Sequence, residues 1–202
     1  MNNLNKQQRT RRLAETAIMI ALSSILAEFA VFKLPYGGSV TLFSQLPMVI
    51  ISYRYGIKWG AFSGLTAAII QLLFGLENFS WVSGIASYLI LIFADYIVAF
   101  GILGFGGMFK NKIESQAISL TLGSIFVSLV RYACHFVSGV TIWSGYAPEG
   151  TPVWQYSITY NGSYMIPELI ITAVGAFMVA KIFDLSSPEI KVLKKSQTVK
   201  SK

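Results

Sequence analysis

The residues able to do chemistry gather in one stretch, from His135 through Trp143 to Tyr146, answered downstream by Tyr156, Tyr160 and Asn161. His135 is the only histidine, and Trp143 and Trp154 are two of the four tryptophans. Arg131 lies four residues before His135, so the two share a helix face. Imidazole, indole, phenol and carboxamide groups together suit a small, flat, polar ligand, because rings stack on rings while the polar tips supply donors and acceptors. Reactive chemistry would need more. One histidine and scattered carboxylates do not form a metal-ligand set. No Ser or Cys stands in a nucleophile setting, and the chain has no G-x-x-x-x-G-K-[ST] phosphate loop.

Composition says what must position these groups. The chain is 54% hydrophobic and 12% charged, whereas about a quarter of a soluble domain is charged, which points to a bilayer. A single cysteine, Cys134, excludes an internal disulfide framework. A spanning helix needs roughly 20 apolar residues. Six segments approach that rule, at about 13–32, 40–54, 58–75, 82–108, 115–138 and 157–183. The first follows Lys6, Arg9, Arg11 and Arg12 like a secretory signal. Its length and Glu28-Phe29, where a small-residue cleavage site would fall, mark it instead as a retained helix. The expectation is an all-α integral membrane protein with six transmembrane helices.

The net charge of +7 reflects tails and short loops rather than a nucleic-acid surface. With the N-terminus inside, fourteen of the sixteen Lys and Arg fall on the inner side, Lys33 alone falls outside, and Arg131 lies within a segment. That split predicts cytoplasmic termini. It divides the chain into a basic N-terminal segment (1–12), a membrane domain (13–183) and a basic tail (184–202). The last fifteen or so residues are Ser/Lys-rich and expected to lack fixed structure.

Ionisable groups inside a bilayer are costly and usually face the protein interior. They are Asp95, Arg131, His135 and Glu168. Asp95, followed by Tyr96, is read either as held by a structural hydrogen bond or, the favoured reading, as a contact for a cationic or amine-bearing ligand, and Glu168 as the structural ion partner of Arg131. In the first outer loop, Pro35–Thr41, Gly37-Gly38 permits unusual backbone angles and close approach to a ligand. Leu76–Trp81 is read as a lid or as an interfacial anchor, the anchor being favoured for Trp81. Small-residue stripes include Ala17 and Ala21 in the first segment, Gly101, Gly104 and Gly107 in the fourth, and Ala173, Ala176 and Ala180 in the sixth. Each suits internal helix packing or docking of another membrane protein.

The pattern His135…Trp143…Tyr156…Asn161, with Asp95-Tyr96 upstream, resembles the thiamine-specific substrate-binding (S) components of energy-coupling-factor (ECF) transporters. Pro35–Thr41, Pro47, Arg54-Tyr55-Gly56 and Phe93–Phe100 carry the same resemblance, which extends over residues 10–183. It implies a thiamine pocket formed by Asp95, Tyr96, Arg131, His135, Trp143, Tyr156 and Asn161, and it identifies Ala17 and Ala21 as a partner-docking stripe. The implied partners are a transmembrane coupling protein and two cytoplasmic ATPases in a bacterial plasma membrane, with thiamine as ligand and no cofactor. The chemistry fits: Trp143 and Tyr156 can face the rings of a thiazolium cation, and Asp95 and Asn161 can meet the aminopyrimidine edge. The resemblance departs at the first outer loop, where some members place a tryptophan and this chain has Gly-Gly-Ser; Tyr36 could supply that aromatic, and Tyr88 is a candidate from the fourth segment. The alternatives are an S component for another flat vitamin or precursor, such as riboflavin or a thiamine-pyrimidine precursor, and a small polytopic membrane enzyme using Asp95, His135 or Glu168.

Overall fold

Helix α1 starts at Lys6, where a run of good helix formers carries it through the basic segment. The computed structural model describes residues 6–193; Lys194, Lys195, Lys200 and Lys202, assigned above to the inner side, lie outside the described residues. The element order is α1 (Lys6–Glu28), β1 (Ala30–Lys33), β2 (Ser39–Thr41), α2 (Leu46–Tyr55), α3 (Ile57–Phe74), α4 (Ile85–Phe105), α5 (Gln116–Thr141), α6 (Val153–Ile182), β3 (Phe183–Asp184) and β4 (Lys191–Val192). Helices α3, α4, α5 and α6 are long and apolar enough to cross a membrane.

Two segments differ from expectation. The first apolar run stops being helical at Glu28, and its last residues pair in an antiparallel hairpin with Ser39–Thr41. The second contributes only the ten residues of α2. That helix is about 15 Å long at roughly 1.5 Å per residue, half the thickness of the hydrocarbon. Its residues Leu46–Tyr53 are all buried, so α2 is a central strut rather than a lipid-facing span.

In lipid the hydrophobic effect does not press helices together; close packing and internal hydrogen bonds do. The small-residue stripes provide the close packing. A Cβ at Gly104 would collide with the backbone of Gly60, so α3 and α4 touch backbone to backbone. Ala176 and Ala180 of α6 are likewise buried. A shared core of Ile20, Met48, Val49, Leu103, Leu120 and Val127 joins α1, α2, α4 and α5.

Part of the tail is ordered. Arg54 donates to the carbonyls of Leu185, Ser187 and Pro188 at 3.1–3.3 Å. Leu185 packs into the core, and β3 pairs with β4. The boundaries placed at 12/13 and 183/184 therefore fall inside α1 and inside a packed hairpin.

Candidate functional site

A cavity of about 430 Å³ opens between the β1–β2 hairpin and the ends of α4, α5 and α6. Helix α4 reaches it through an unusual stretch. Leu91–Val98 is π-helical, and i→i+5 bonding turns residues four and five apart onto one side. Leu91, Asp95, Tyr96 and Phe100 all line the cavity as a result. From α5 come Arg131, His135 and Ser138, one helical turn apart or less. Helix α6 begins at Val153, after Pro152. This places Tyr156, assigned from the sequence to the connecting loop, in its first turns. The stripe Tyr156, Tyr160 and Tyr164 follows at four-residue spacing, with Asn161 beside it.

The Asp95 carboxylate is the hub. Its Oδ1 accepts from Ser138 Oγ and meets His135 Nδ1 at 2.9 Å, and its Oδ2 accepts from Trp143 Nε1 at 3.1 Å. Asp95 is 9% exposed, so these bonds offset the loss of water around the charge. They also fix the indole of Trp143 and the ring of His135 toward one space. Asn161 is equally occupied. Its Nδ2 donates to the carbonyls of His135 and Ser157, and its Oδ1 accepts from Tyr164 OH at 2.7 Å. The aminopyrimidine-facing groups expected at Asp95 and Asn161 are thus engaged by the protein itself. Tyr96 lines the wall with its ring. Its hydroxyl accepts from Asn78 Nδ2 at 2.7 Å and donates to the Gly75 carbonyl, tying the loop after α3 to α4.

Below these groups sits Glu168. Its Oε1 accepts from Thr41 N at 2.6 Å and from Thr41 Oγ1; its Oε2 accepts from Gln45 Nε2 and faces Arg131 Nη1 at 3.4 Å. The ion pair expected between Arg131 and Glu168 is present. It closes a buried set that includes Ser128, whose Oγ donates to Gln45 Oε1 at 3.2 Å. The guanidinium also lies 4.4 Å from the centre of the Phe100 ring.

The roof is aromatic. Tyr36 meets Trp81 edge-on at 5.5 Å and Tyr146 at 4.3 Å, and Tyr146 OH donates to the Trp81 carbonyl at 2.9 Å. Tyr36 sits at φ 65° beside Gly37 at φ 96°; a bulky residue in the left-handed region costs energy that the surrounding contacts must supply. Gly38 allows a tight approach, since a Cβ there would lie 2.8 Å from the Tyr164 ring. The Tyr160 hydroxyl holds the same turn through Gly38 N at 3.2 Å and the Pro35 carbonyl.

All seven residues read from the sequence as ligand-binding line this cavity. Trp81, read preferentially as a membrane anchor, belongs to the roof. Trp154 is 58% exposed and outside the lining, as is Tyr88, which packs on Phe79 at 5.5 Å. Sequence reasoning placed Tyr146 at the end of the chemistry-bearing stretch without giving it a role, and did not single out Ser138 or Tyr164. Tyrosines 156, 160 and 164 were the available signal: a stripe of polar-tipped rings on one helix face. Ala17 and Ala21 are exposed along an apolar groove between α1 and α3, lined also by Ile25, Phe29, Thr66 and Ile70.

A helical, membrane-spanning scaffold closes rings and fixed polar groups around this cavity, an arrangement of the class found in membrane transport proteins that handle small polar solutes. The family model described as thiamine transporter protein (Thia_YuaJ) matches residues 13–186. The chain belongs to this family. It is 37% identical over 182 residues to the thiamine transporter ThiT of Bacillus subtilis, covering 85% of this chain and 91% of that protein. It is 24% identical over 201 residues to ThiT of Lacticaseibacillus paracasei, covering 92% and 96%. Both relatives are named as transporters, not enzymes. A solved structure of ThiT from Listeria monocytogenes shares the fold, with a TM-score of 0.69 at 23% identity over 86% of this chain and 94% of that one.

Proposed function

We propose that the chain is the substrate-binding membrane subunit of an ECF-type ATP-driven importer in a bacterial plasma membrane. It takes thiamine from the outer face and delivers it inward with a transmembrane coupling protein and two cytoplasmic ATPases. The observation that carries this reading is the convergence of Asp95, His135 and Trp143 on one aromatic cavity in a chain of the thiamine transporter family. Glu28, Glu77, Asp95 and Glu168 outnumber Lys33 and Arg131 among the charged lining residues, and that negative excess suits a cation. Trp143 and Tyr156 supply ring faces, with cation–π attraction worth about 0.5–2 kcal/mol. Tyr96, Arg131 and Asn161 complete the pocket.

The chain threads the membrane in six segments, the second of them the short α2 enclosed by the others, with both termini cytoplasmic, leaving 1–12 and 184–202 on the inner side. The asymmetry of Lys and Arg supports that orientation. Ala17 and Ala21 form the docking stripe for the coupling protein, supported by their exposure beside the groove. The test is a titration of the purified chain with thiamine and riboflavin, followed by tryptophan fluorescence. One saturable site for thiamine and none for riboflavin is expected; the reverse selectivity, or turnover of either compound, would defeat the reading. In a Cys134→Ser background, a cysteine at position 149 should label from outside and one at position 111 should not.

A further inference from the structure

We propose that Asp95 is a positioning residue: it holds His135 in the Nδ1–H tautomer, leaving Nε2 as an acceptor that selects a ligand presenting an N–H or O–H donor. The inference rests on the thiamine reading of the site and assigns how that site reads its ligand.

Each of the three protein partners of the carboxylate is, or must be, a donor. Ser138 Oγ and Trp143 Nε1 bring hydrogens to it. A carboxylate only accepts, so the 2.9 Å contact from His135 Nδ1 requires the proton on that nitrogen. A neutral imidazole then carries a bare lone pair on Nε2. Among the described residues, Nε2 is buried and has no hydrogen-bond partner. Arg131 Nε, one helical turn earlier on the same face, is also buried and unpartnered, and it is a donor. Two such groups left unmatched are costly, and both side chains line the cavity. Each asks for its own partner from the cavity, a donor for His135 and an acceptor for Arg131.

Thiamine offers both in its aminopyrimidine, where an NH2 group stands next to a ring nitrogen. Its hydroxyethyl OH is the only other donor it carries. The analogue with oxo in place of the amino group reverses the edge, presenting a carbonyl beside a ring N–H. With Asp95 fixing the tautomer, the reversed edge sets acceptor against acceptor at Nε2.

Because His135 is the only histidine, 15N-histidine labelling of the full chain gives one pair of imidazole nitrogen signals by NMR. Ligand-free wild type should show a protonated Nδ1 and a bare Nε2, with Nε2 moving toward the hydrogen-bonded position when thiamine is added. Asp95→Asn should yield a tautomer mixture or the Nε2–H form, and Asp95→Glu should restore the wild-type pattern. In parallel titrations, wild type should favour thiamine over the oxo analogue or over the analogue lacking the hydroxyl by tenfold or more; whichever analogue loses affinity names the donor. In Asp95→Asn that preference should fall to threefold or less. An Nε2–H or doubly protonated imidazole in the wild type overturns the proposal without involving any variant. Equal affinity for thiamine and both analogues also overturns it. Failure of thiamine to bind while the expected tautomer is seen would overturn the thiamine reading instead.

Discussion

Replacing Glu168 by Ala should be among the most destabilising single changes in the chain. The side chain is buried and holds Thr41 of the hairpin, Gln45 at the start of α2 and Arg131 of α5. Its loss leaves the Arg131 guanidinium, 11% exposed, without its counter-charge. Breaking a buried ion pair from one side costs about 3–5 kcal/mol. For a chain of this size each kcal/mol moves the melting temperature by about 2–4 °C, which gives a fall of roughly 6–20 °C. The assay is thermal unfolding in detergent, read by a thiol-reactive dye on the half-buried Cys134. Adding Arg131→Met should recover part of the loss, because the stranded charge is gone. Recovery stays incomplete, since Gln45 Nε2 and Thr41 still lack their acceptor at about 1–3 kcal/mol each. A fall below about 2 °C for Glu168→Ala, or a double variant no more stable than the single one, would refute the reasoning.

Other outcomes follow from the same contacts. Trp143→Phe keeps a ring but removes the Nε1–H bond to Asp95. At about 1.5–3 kcal/mol for a bond to a charged group, the melting temperature should fall by about 3–12 °C, and thiamine affinity by calorimetric titration should fall as well because the ring is no longer fixed. Tyr160→Phe unfastens the hairpin turn at Gly38 and Pro35; it should speed thiamine release by about two- to tenfold in stopped-flow measurements, with little change in melting temperature. Leucine at both Ala17 and Ala21 should block uptake by the assembled transporter while leaving thiamine binding by the isolated subunit unchanged, because both positions face outward.

The pocket was legible where its residues are rare or regularly spaced. Arg131 and His135 share a helix face by simple periodicity, and Trp143 follows at the end of the same helix. Asp95 was conspicuous as a carboxylate in an apolar run, though the π-helical turn that brings Tyr96 and Phe100 onto its side leaves no such mark. The hairpin was not legible because Val31 and Phe32 continue the apolar pattern of α1, and hydrophobicity alone does not separate a short strand from a helix end. The ordered tail depends on Arg54 and Gln116, more than sixty residues away in sequence, reaching carbonyls near residues 183–188. Roof residues Trp81 and Tyr146 come from separate loops, and only tertiary folding brings them against Tyr36.

The most direct test of the account is a crystal structure of the full chain grown with thiamine. Thiamine should occupy the cavity with a ring against Trp143 and a donor within hydrogen-bond reach of His135 Nε2, beneath the Tyr36–Trp81–Tyr146 roof. Thiamine seated outside that cavity, or a cavity in which Trp143 and His135 touch no part of it, would contradict the account.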